Sequence, residues 1–231
     1  MEVKLEHHTP LWVCSSAIRQ CWDSHDKSDT CHHNEVEYSQ NGDAECKECG
    51  FTFNAYTEQL PEVGQADKEL IDRIGNKMKH TSVKNHINYN FSIQGITTKT
   101  LLALTRHDVG TEFSVQSTRY TTKKSVKNGK ASYTYSKSFR VNRYLDVIND
   151  MIKDCVENNE ANDEISLLLP QAWQYNLMAT FSLGALQHFL KLRLKPDAHW
   201  DIRELAKQLY NNIPEEHLYL FEDIKQKEQN D

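Results

Sequence analysis

The sequence predicts an α+β domain in which helices pack on an antiparallel sheet. Three observations carry that expectation. The stretch "HINYNFSIQGI" alternates strictly, setting Ile87, Tyr89, Phe91 and Ile93 against His86, Asn88, Asn90 and Ser92, which is the period of a half-buried strand. Two other stretches repeat at helical spacing: Leu70, Ile71, Ile74 and Met78, and Tyr144, Leu145, Ile148, Met151, Ile152 and Cys155. Finally, no glycine-rich phosphate loop or dinucleotide fingerprint is present, which argues against a Rossmann domain or a P-loop.

The elements follow in chain order. Thr9 and Pro10 of "TPLWVCSSAIRQCW" offer an N-cap and a first helical position. Residues 23 to 66 are polar, acidic and rich in Cys and His. The segment at about 25–66 reads as an inserted loop or small subdomain within one domain spanning 1–231. Helical pattern resumes at Asp67. After the alternating strand, Thr97 or Thr98 caps a helix through Leu101, Leu102 and Leu104 that ends near Arg106. Asn128-Gly129 fits a two-residue hairpin turn. Pro170 opens "WQYNLMATFSLGALQHFLKLRL", apolar around most of its circumference and expected as a buried helix. A last helix carries Trp200, Ile202, Leu205 and Leu209, and the tail "FEDIKQKEQND" is expected to fray.

Composition narrows the function classes. With 231 residues, 38% hydrophobic and 10% aromatic, the chain can bury a real core. No apolar run approaches the length of a membrane span. The N-terminus "MEVKLEHHTPLW" lacks the apolar core of a secretory signal. A cytoplasmic location is the expectation. In that setting Cys14, Cys21, Cys31, Cys46, Cys49 and Cys155 are thiols or metal ligands rather than a disulfide framework. The net charge is −6, yet Arg119 to Arg143 holds eight Lys/Arg and no acid. An acidic chain with one basic stretch invites an anionic ligand, phosphate first.

Cys46-x-x-Cys49 followed by Gly50 is a knuckle-like turn suited to tetrahedral zinc. Cys31, His32 and His33 lie upstream, and Cys31 with either histidine completes a ligand set. Cys31, His33, Cys46 and Cys49 are the candidates carried forward. Such a zinc would be structural, bracing a segment too polar to fold by burial alone.

The stretch "RHDVGTEFSVQSTRYT", residues 106 to 121, follows an apolar run and precedes the basic one. Arg106-His107 and Ser117-Thr118-Arg119-Tyr120 resemble the signature of the flavin-dependent thymidylate synthases, which runs R-H-R-x-x-S, a spacer, then S-x-R-Y. The blocks "HTPLWVCSSAIRQCW", "KELIDRIGNKMKHTSVKNHINYNFSIQGI" and "LGALQHFLKLRLKPDAHWDIRELAKQLY" resemble the same family, especially its ε-proteobacterial branch. Together they cover most of the chain outside residues 25 to 66 and 121 to 142.

The resemblance implies a homotetramer with active sites shared between subunits. It implies FAD as cofactor, dUMP as substrate, methylenetetrahydrofolate as carbon donor and NADPH as reductant. It places His80, Ser82, Arg106, His107, Asp108, Ser182 and His188 against the flavin. It places Arg106, Ser114, Val115, Gln116, Ser117, Thr118, Arg119 and Arg193 against the nucleotide, with Arg193 as the catalytic group that activates the pyrimidine ring. Hydroxyls and N–H groups around Ser117 can hold a phosphate, with Arg119 adding charge-assisted bonds. An arginine facing a uracil edge stabilises negative charge as C5 becomes nucleophilic.

The chain also departs from the pattern. Asp108 stands where the third signature arginine belongs. The spacer is one residue longer: Thr111 stands for the signature serine, and Glu112-Phe113 marks the extra residue. Glu112 is expected to restore a carboxylate of the shifted loop. Ala103 and Ser166 replace two further polar contacts, with Lys123 or Lys124 as the compensating charge. These changes leave two alternatives in view. One is methylation or hydroxymethylation of another pyrimidine nucleotide on the same scaffold. The other, of a different class, is a zinc-containing nucleic-acid-binding module using the Cys/His segment and the basic stretch with Tyr133 and Tyr135. The overall acidity argues against a polyanionic partner.

Overall fold

The alternating residues of 87–96 build the central strand of the molecule. In the computed structural model, which describes residues 1–39, 42–54, 61–129 and 133–224, β5 (Asn88–Thr97) lies between β1 (Glu2–His8) and β7 (Gln174–Ser182). Strand β6 (Thr111–Val115) closes the edge in the order β1-β5-β7-β6. Every pairing is antiparallel. Register sets Tyr89 opposite Phe181, Phe91 opposite Ala179 and Ile93 opposite Leu177, so one face of the sheet is continuous hydrocarbon. The other face carries Asn90, Ser92, Glu112 and Thr180 and stays polar, as a one-sided antiparallel sheet allows.

Helices cover the apolar face. They are α1 (Leu11–Cys21), α2 (Gln65–Ile71) continued by a π-helical turn at Asp72–Lys77, short α3 (Thr81–Lys84), α4 (Thr98–Leu104), α8 (Leu183–Arg193) and α9 (Trp200–Asn211). Their buried residues Ile18, Ile71, Ile74, Leu186, Phe189, Leu205 and Leu209 join one core with Tyr89, Phe91 and Phe181. A second, smaller cluster of Ile152, Val156 and Ile165 links α5 (Thr118–Lys127), α6 (Phe139–Glu157) and α7 (Asn162–Ser166). Between α1 and α2 stand three short strands, β2 (Val36–Tyr38), β3 (Asp43–Cys46) and β4 (Thr52–Asn54), in a separate sheet. No helix among the described residues is long and apolar enough to cross a membrane.

The architecture agrees with the sequence expectation, and several local details correct it. The apolar run after Pro170 is not one helix. It is β7 followed without a loop by α8, because Ser182 stops the strand and its Oγ accepts a hydrogen bond from Ala185 N at 3.3 Å. Burial on both elements, not helical wrapping, makes the run apolar. Asn128-Gly129 is not a hairpin turn but the end of α5, with Gly129 at φ +63, the left-handed residue that commonly terminates helices. Pro10 rather than Thr9 precedes α1 as its cap, while Thr9 Oγ1 accepts from Asn88 N at 3.2 Å and ties the helix start to β5. The α6 stripe splits: Leu145 and Ile152 are buried, whereas Tyr144 and Met151 are more than half exposed, as is Met78 on the α2 side. Thr97 is the cap of α4, accepting from Thr100 N at 3.1 Å. Most of the tail expected to fray, residues 225–231, lies outside the described residues.

Candidate active site

The turn after α4 and the start of α8 enclose a cavity of about 560 Å³, within the size range of small-molecule sites. Arg106, His107, Asp108, Val109 and Gly110 form one wall, Ser182, Ala185 and His188 the other, and Lys84 and Asn85 close it from the end of α3. Residues 106 to 110 are held by one backbone turn and two hydrogen bonds. Gly110 adopts φ +73, its carbonyl accepts from Ser182 N at 2.8 Å, and the Thr111 hydroxyl donates to the His107 carbonyl. A Cβ at Gly110 would lie 2.5 Å from Ser182 Oγ, so the close approach of the two walls requires glycine.

Charge makes the cavity suited to an anion. Lys84, Arg106 and Lys191 line it against one carboxylate, Asp108. The N-terminal end of α8, an eleven-residue helix, adds its positive dipole. Burial holds the Lys84 pKa below its usual value, and the neighbouring Lys191 adds to the effect. The Lys84 ammonium donates to Gln187 Oε1 at 2.7 Å.

His107 and Arg193 form the polar contact at the back of this wall. Arg193 Nη2 and Nε lie 3.0 and 3.2 Å from His107 Nε2. His107 also meets Phe189 edge-on at 5.0 Å and His188 at 5.8 Å. Burial lowers the His107 pKa first, with the charges of Arg193 and His188 next. The imidazole is therefore a neutral acceptor that orients the guanidinium. Arg193 itself is half-buried at the C-terminal end of α8.

Of the residues singled out for the flavin, Arg106, His107, Asp108, Ser182 and His188 come together around the cavity. His80 and Ser82 are exposed near the start of α3 and do not line it. Ser114 to Arg119, the loop expected to hold the nucleotide, lies elsewhere. Ser114 and Val115 end β6 and Gln116 to Arg119 follow it, so the five residues of the strand, at about 3.3 Å each, set the loop about 17 Å beyond the cavity wall. Within one chain the two halves of "RHDVGTEFSVQSTRYT" are thus not two walls of one pocket, because an extended strand holds them apart. Ser117 precedes α5, and its side chain makes no cap bond. The Gln116 amide is taken up by Thr121 and Asn176. Arg119 pairs with Asp163 at 3.3 Å in an exposed contact. Glu112 and Ser114 point to the polar face of the sheet, opposite to Thr111 and Phe113. Lys123 does not stand free as a compensating cation, since Asn159 holds its ammonium at 2.9 Å. Lys124 is exposed, and Ser166 Oγ donates to the Asp163 carbonyl at 2.6 Å. Cys31, His33, Cys46 and Cys49 gather in a cluster remote in sequence from the cavity.

Reasoning from sequence missed Lys84, Asn85, Gly110, Gln187 and Lys191. Lys191 carried a readable signal, since it stands three residues after His188 and so shares its helix face. Lys84 carried none, because only the packing of α3 beside α8 brings it in.

Comparison with known proteins gives the family. The Thy1 family model, described as thymidylate synthase complementing protein, matches residues 4–217. A flavin-dependent thymidylate synthase of Campylobacter jejuni is 36% identical over 234 residues, covering 96% of each chain. One from Wolinella succinogenes is 35% identical over 233 residues, covering 96% of this chain and 97% of its own. The structure of the flavin-dependent thymidylate synthase ThyX from Helicobacter pylori, complexed with FAD and dUMP, aligns at a TM-score of 0.76 and 30% identity, covering 97% of this chain and 99% of that one. The fold, the cation-lined cavity and these full-length likenesses place the chain in one family: it belongs to the flavin-dependent thymidylate synthases of the Thy1 type.

Proposed function

We propose that the protein synthesises dTMP from dUMP by flavin-mediated reductive methylation, with methylenetetrahydrofolate as carbon donor and NADPH as reductant. The observation that carries this reading is the cavity in which Lys84, Arg106 and Lys191 face the N-terminal end of α8. A diphosphate-bearing cofactor such as FAD fits that lining, because three cations and the positive end of the α8 dipole oppose one carboxylate. Bound there, the flavin supplies the hydride that completes the methyl group. The chain supplies position and charge. Ser117 and Arg119 bind the nucleotide phosphate, and Arg193, oriented by neutral His107, stabilises negative charge on the uracil ring.

The same reading assigns the active site to an assembly of copies, a homotetramer with shared sites. The length of β6 supports this, since it separates the flavin cavity from the nucleotide loop of the same chain. So does the exposed apolar face of α6, where Phe139, Tyr144, Val147 and Met151 continue into Leu167 after α7. A soluble chain does not ordinarily leave such a patch uncovered. A cytoplasmic location goes with the reaction, because nucleotide and NADPH pools are there. The nucleic-acid alternative loses support where Asp163 and Asn159 engage Arg119 and Lys123.

Purified protein tests the reading by colour. A flavin absorption spectrum that weakens in Lys84→Ala and Lys191→Ala supports it. A colourless wild-type protein that takes up no added FAD contradicts it.

A further inference from the structure

The four donors of the Cys/His segment are Sγ of Cys31, Cys46 and Cys49 and Nδ1 of His33, all within 4.8 Å of one another. Cys31 Sγ lies 3.6 Å from Cys46 Sγ, and His33 Nδ1 lies 3.5 Å from both Cys31 Sγ and Cys49 Sγ. A tetrahedral zinc with ordinary Zn–S and Zn–N bonds would set sulfur atoms about 3.8 Å apart and nitrogen about 3.6 Å from sulfur. These three separations match three of the six edges of that tetrahedron, and the other three are within 4.8 Å.

The backbone is shaped to present these atoms. Cys46 ends β3, Gly50 N donates to the Cys46 carbonyl at 2.8 Å, and Gly50 turns the chain at φ +74. His33 adopts φ +52, which a residue with a side chain seldom does. That conformation aims Nδ1 at the sulfur atoms while the ring stacks on Phe51 at 5.5 Å. His33 is only 4% exposed, and its backbone N–H donates to Cys31 Sγ at 3.4 Å. A buried imidazole facing three sulfur atoms has no other evident use here.

The segment also needs a clip. Its sheet has strands of three, four and three residues. Among them only Ala44 and Cys46 are fully buried, too little apolar area for independent stability.

We propose that Cys31, His33, Cys46 and Cys49 bind one structural zinc ion. Binding releases three thiol protons to solvent, and the neutral imidazole coordinates through Nδ1, so the closed site carries a net charge of about −1. The Cys31 thiol, which now donates to exposed Glu48 at 3.2 Å, exchanges that bond for the metal. Four protein ligands leave no open position, so the ion braces rather than catalyses. What it braces is specific. Cys31 pairs with Glu62 across the base of the segment. The residues just before it hold the start of α2: Asp29 accepts from Ala66 N and Asp67 N at 2.7 and 2.9 Å, and Ser28 and Thr30 donate to Asp67. The zinc therefore fixes the loop that anchors α2 to α1.

Elemental analysis of the full-length protein, purified without chelators, tests the site. One zinc per chain is expected, with Cys46→Ser and Cys49→Ser below a tenth of that and Cys21→Ser unchanged. Should the serine variants be insoluble, wild-type protein grown with cobalt instead of zinc is expected to show the visible bands of tetrahedral thiolate-bound cobalt. A zinc ratio near zero, bound iron in its place, or cobalt without those bands would overturn the proposal. The zinc count does not depend on flavin or dUMP, so failure of the functional reading would leave it untouched.

Discussion

Two N–H groups of Arg193 converge on a single atom, Nε2 of His107, at 3.0 and 3.2 Å. That atom must carry a lone pair, so the proton of His107 sits on Nδ1 and the ring is neutral. Replacing Arg193 by Gln removes a cation from beside the ring. The His107 pKa should then rise toward its ordinary value of 6.5, read from the imidazole resonances as a function of pH. Turnover should fall about 10²–10³-fold, with FAD content unchanged because Arg193 does not line the cavity. Arg193→Lys should rescue little of it, since one ammonium cannot supply two converging N–H groups in a plane. Turnover within twofold of wild type in either variant would remove Arg193 from the chemistry.

Gly110→Ala should damage the cavity directly. The added carbon meets Ser182 Oγ and demands a left-handed backbone from a residue that resists it. Strain of about 1–3 kcal/mol is expected, visible as a lower urea midpoint together with weaker FAD retention. An alanine variant that keeps its flavin and its midpoint would mean that the two walls can separate at no cost.

Asp67 is fully buried and accepts from Arg19, Ser28 and Thr30. Burial alone would raise its pKa, but these donors together hold it below the usual range. Asp67→Asn leaves the Arg19 guanidinium, itself 6% exposed, without its countercharge. Such losses cost about 3–5 kcal/mol. Urea denaturation should report that loss, and Asp67→Asn with Arg19→Met should recover part of it.

His217 is buried beside Tyr89, with Tyr89 Oη 2.8 Å from Nδ1 and the rings of His8 and Tyr89 packed around it. Burial, then the His8 charge, push its pKa down to about 4 from 6.5. The unfolded chain therefore takes up a proton first as pH falls. Stability from this group is fully present above pH 6.5 and is lost progressively toward pH 4. The difference between pH 7 and pH 5 should be about 2 kcal/mol, and His217→Asn should lack that component in urea titrations at the two pH values. Equal pH dependence in wild type and variant would show that His217 takes up its proton in the folded state.

The central strand was legible because its burial is one-sided: Tyr89, Phe91 and Ile93 alternate with polar neighbours, and alternation has only one physical reading. β7 and α8 were not, because both are buried and a run apolar on every side carries no period. Asn128-Gly129 misled for a related reason, since a left-handed glycine serves hairpins and helix ends alike. At the site, the stretch around Arg106 and His107 was readable from its residues. The contribution of Lys84 was not, as it depends on which helices pack together. Nor could the chain sequence show that β6 parts the cavity residues around Arg106 from Ser117 and Arg119, because that distance exists only once the residues between them are known to be extended.

Turnover of dUMP with methylenetetrahydrofolate and NADPH by the FAD-loaded protein, with the product identified by mass, tests the central claim most directly. The account predicts dTMP, formed only when all three are present and lost in Arg193→Gln. Recovery of hydroxymethyl-dUMP, or methylation of a different pyrimidine nucleotide in preference to dUMP, would contradict it.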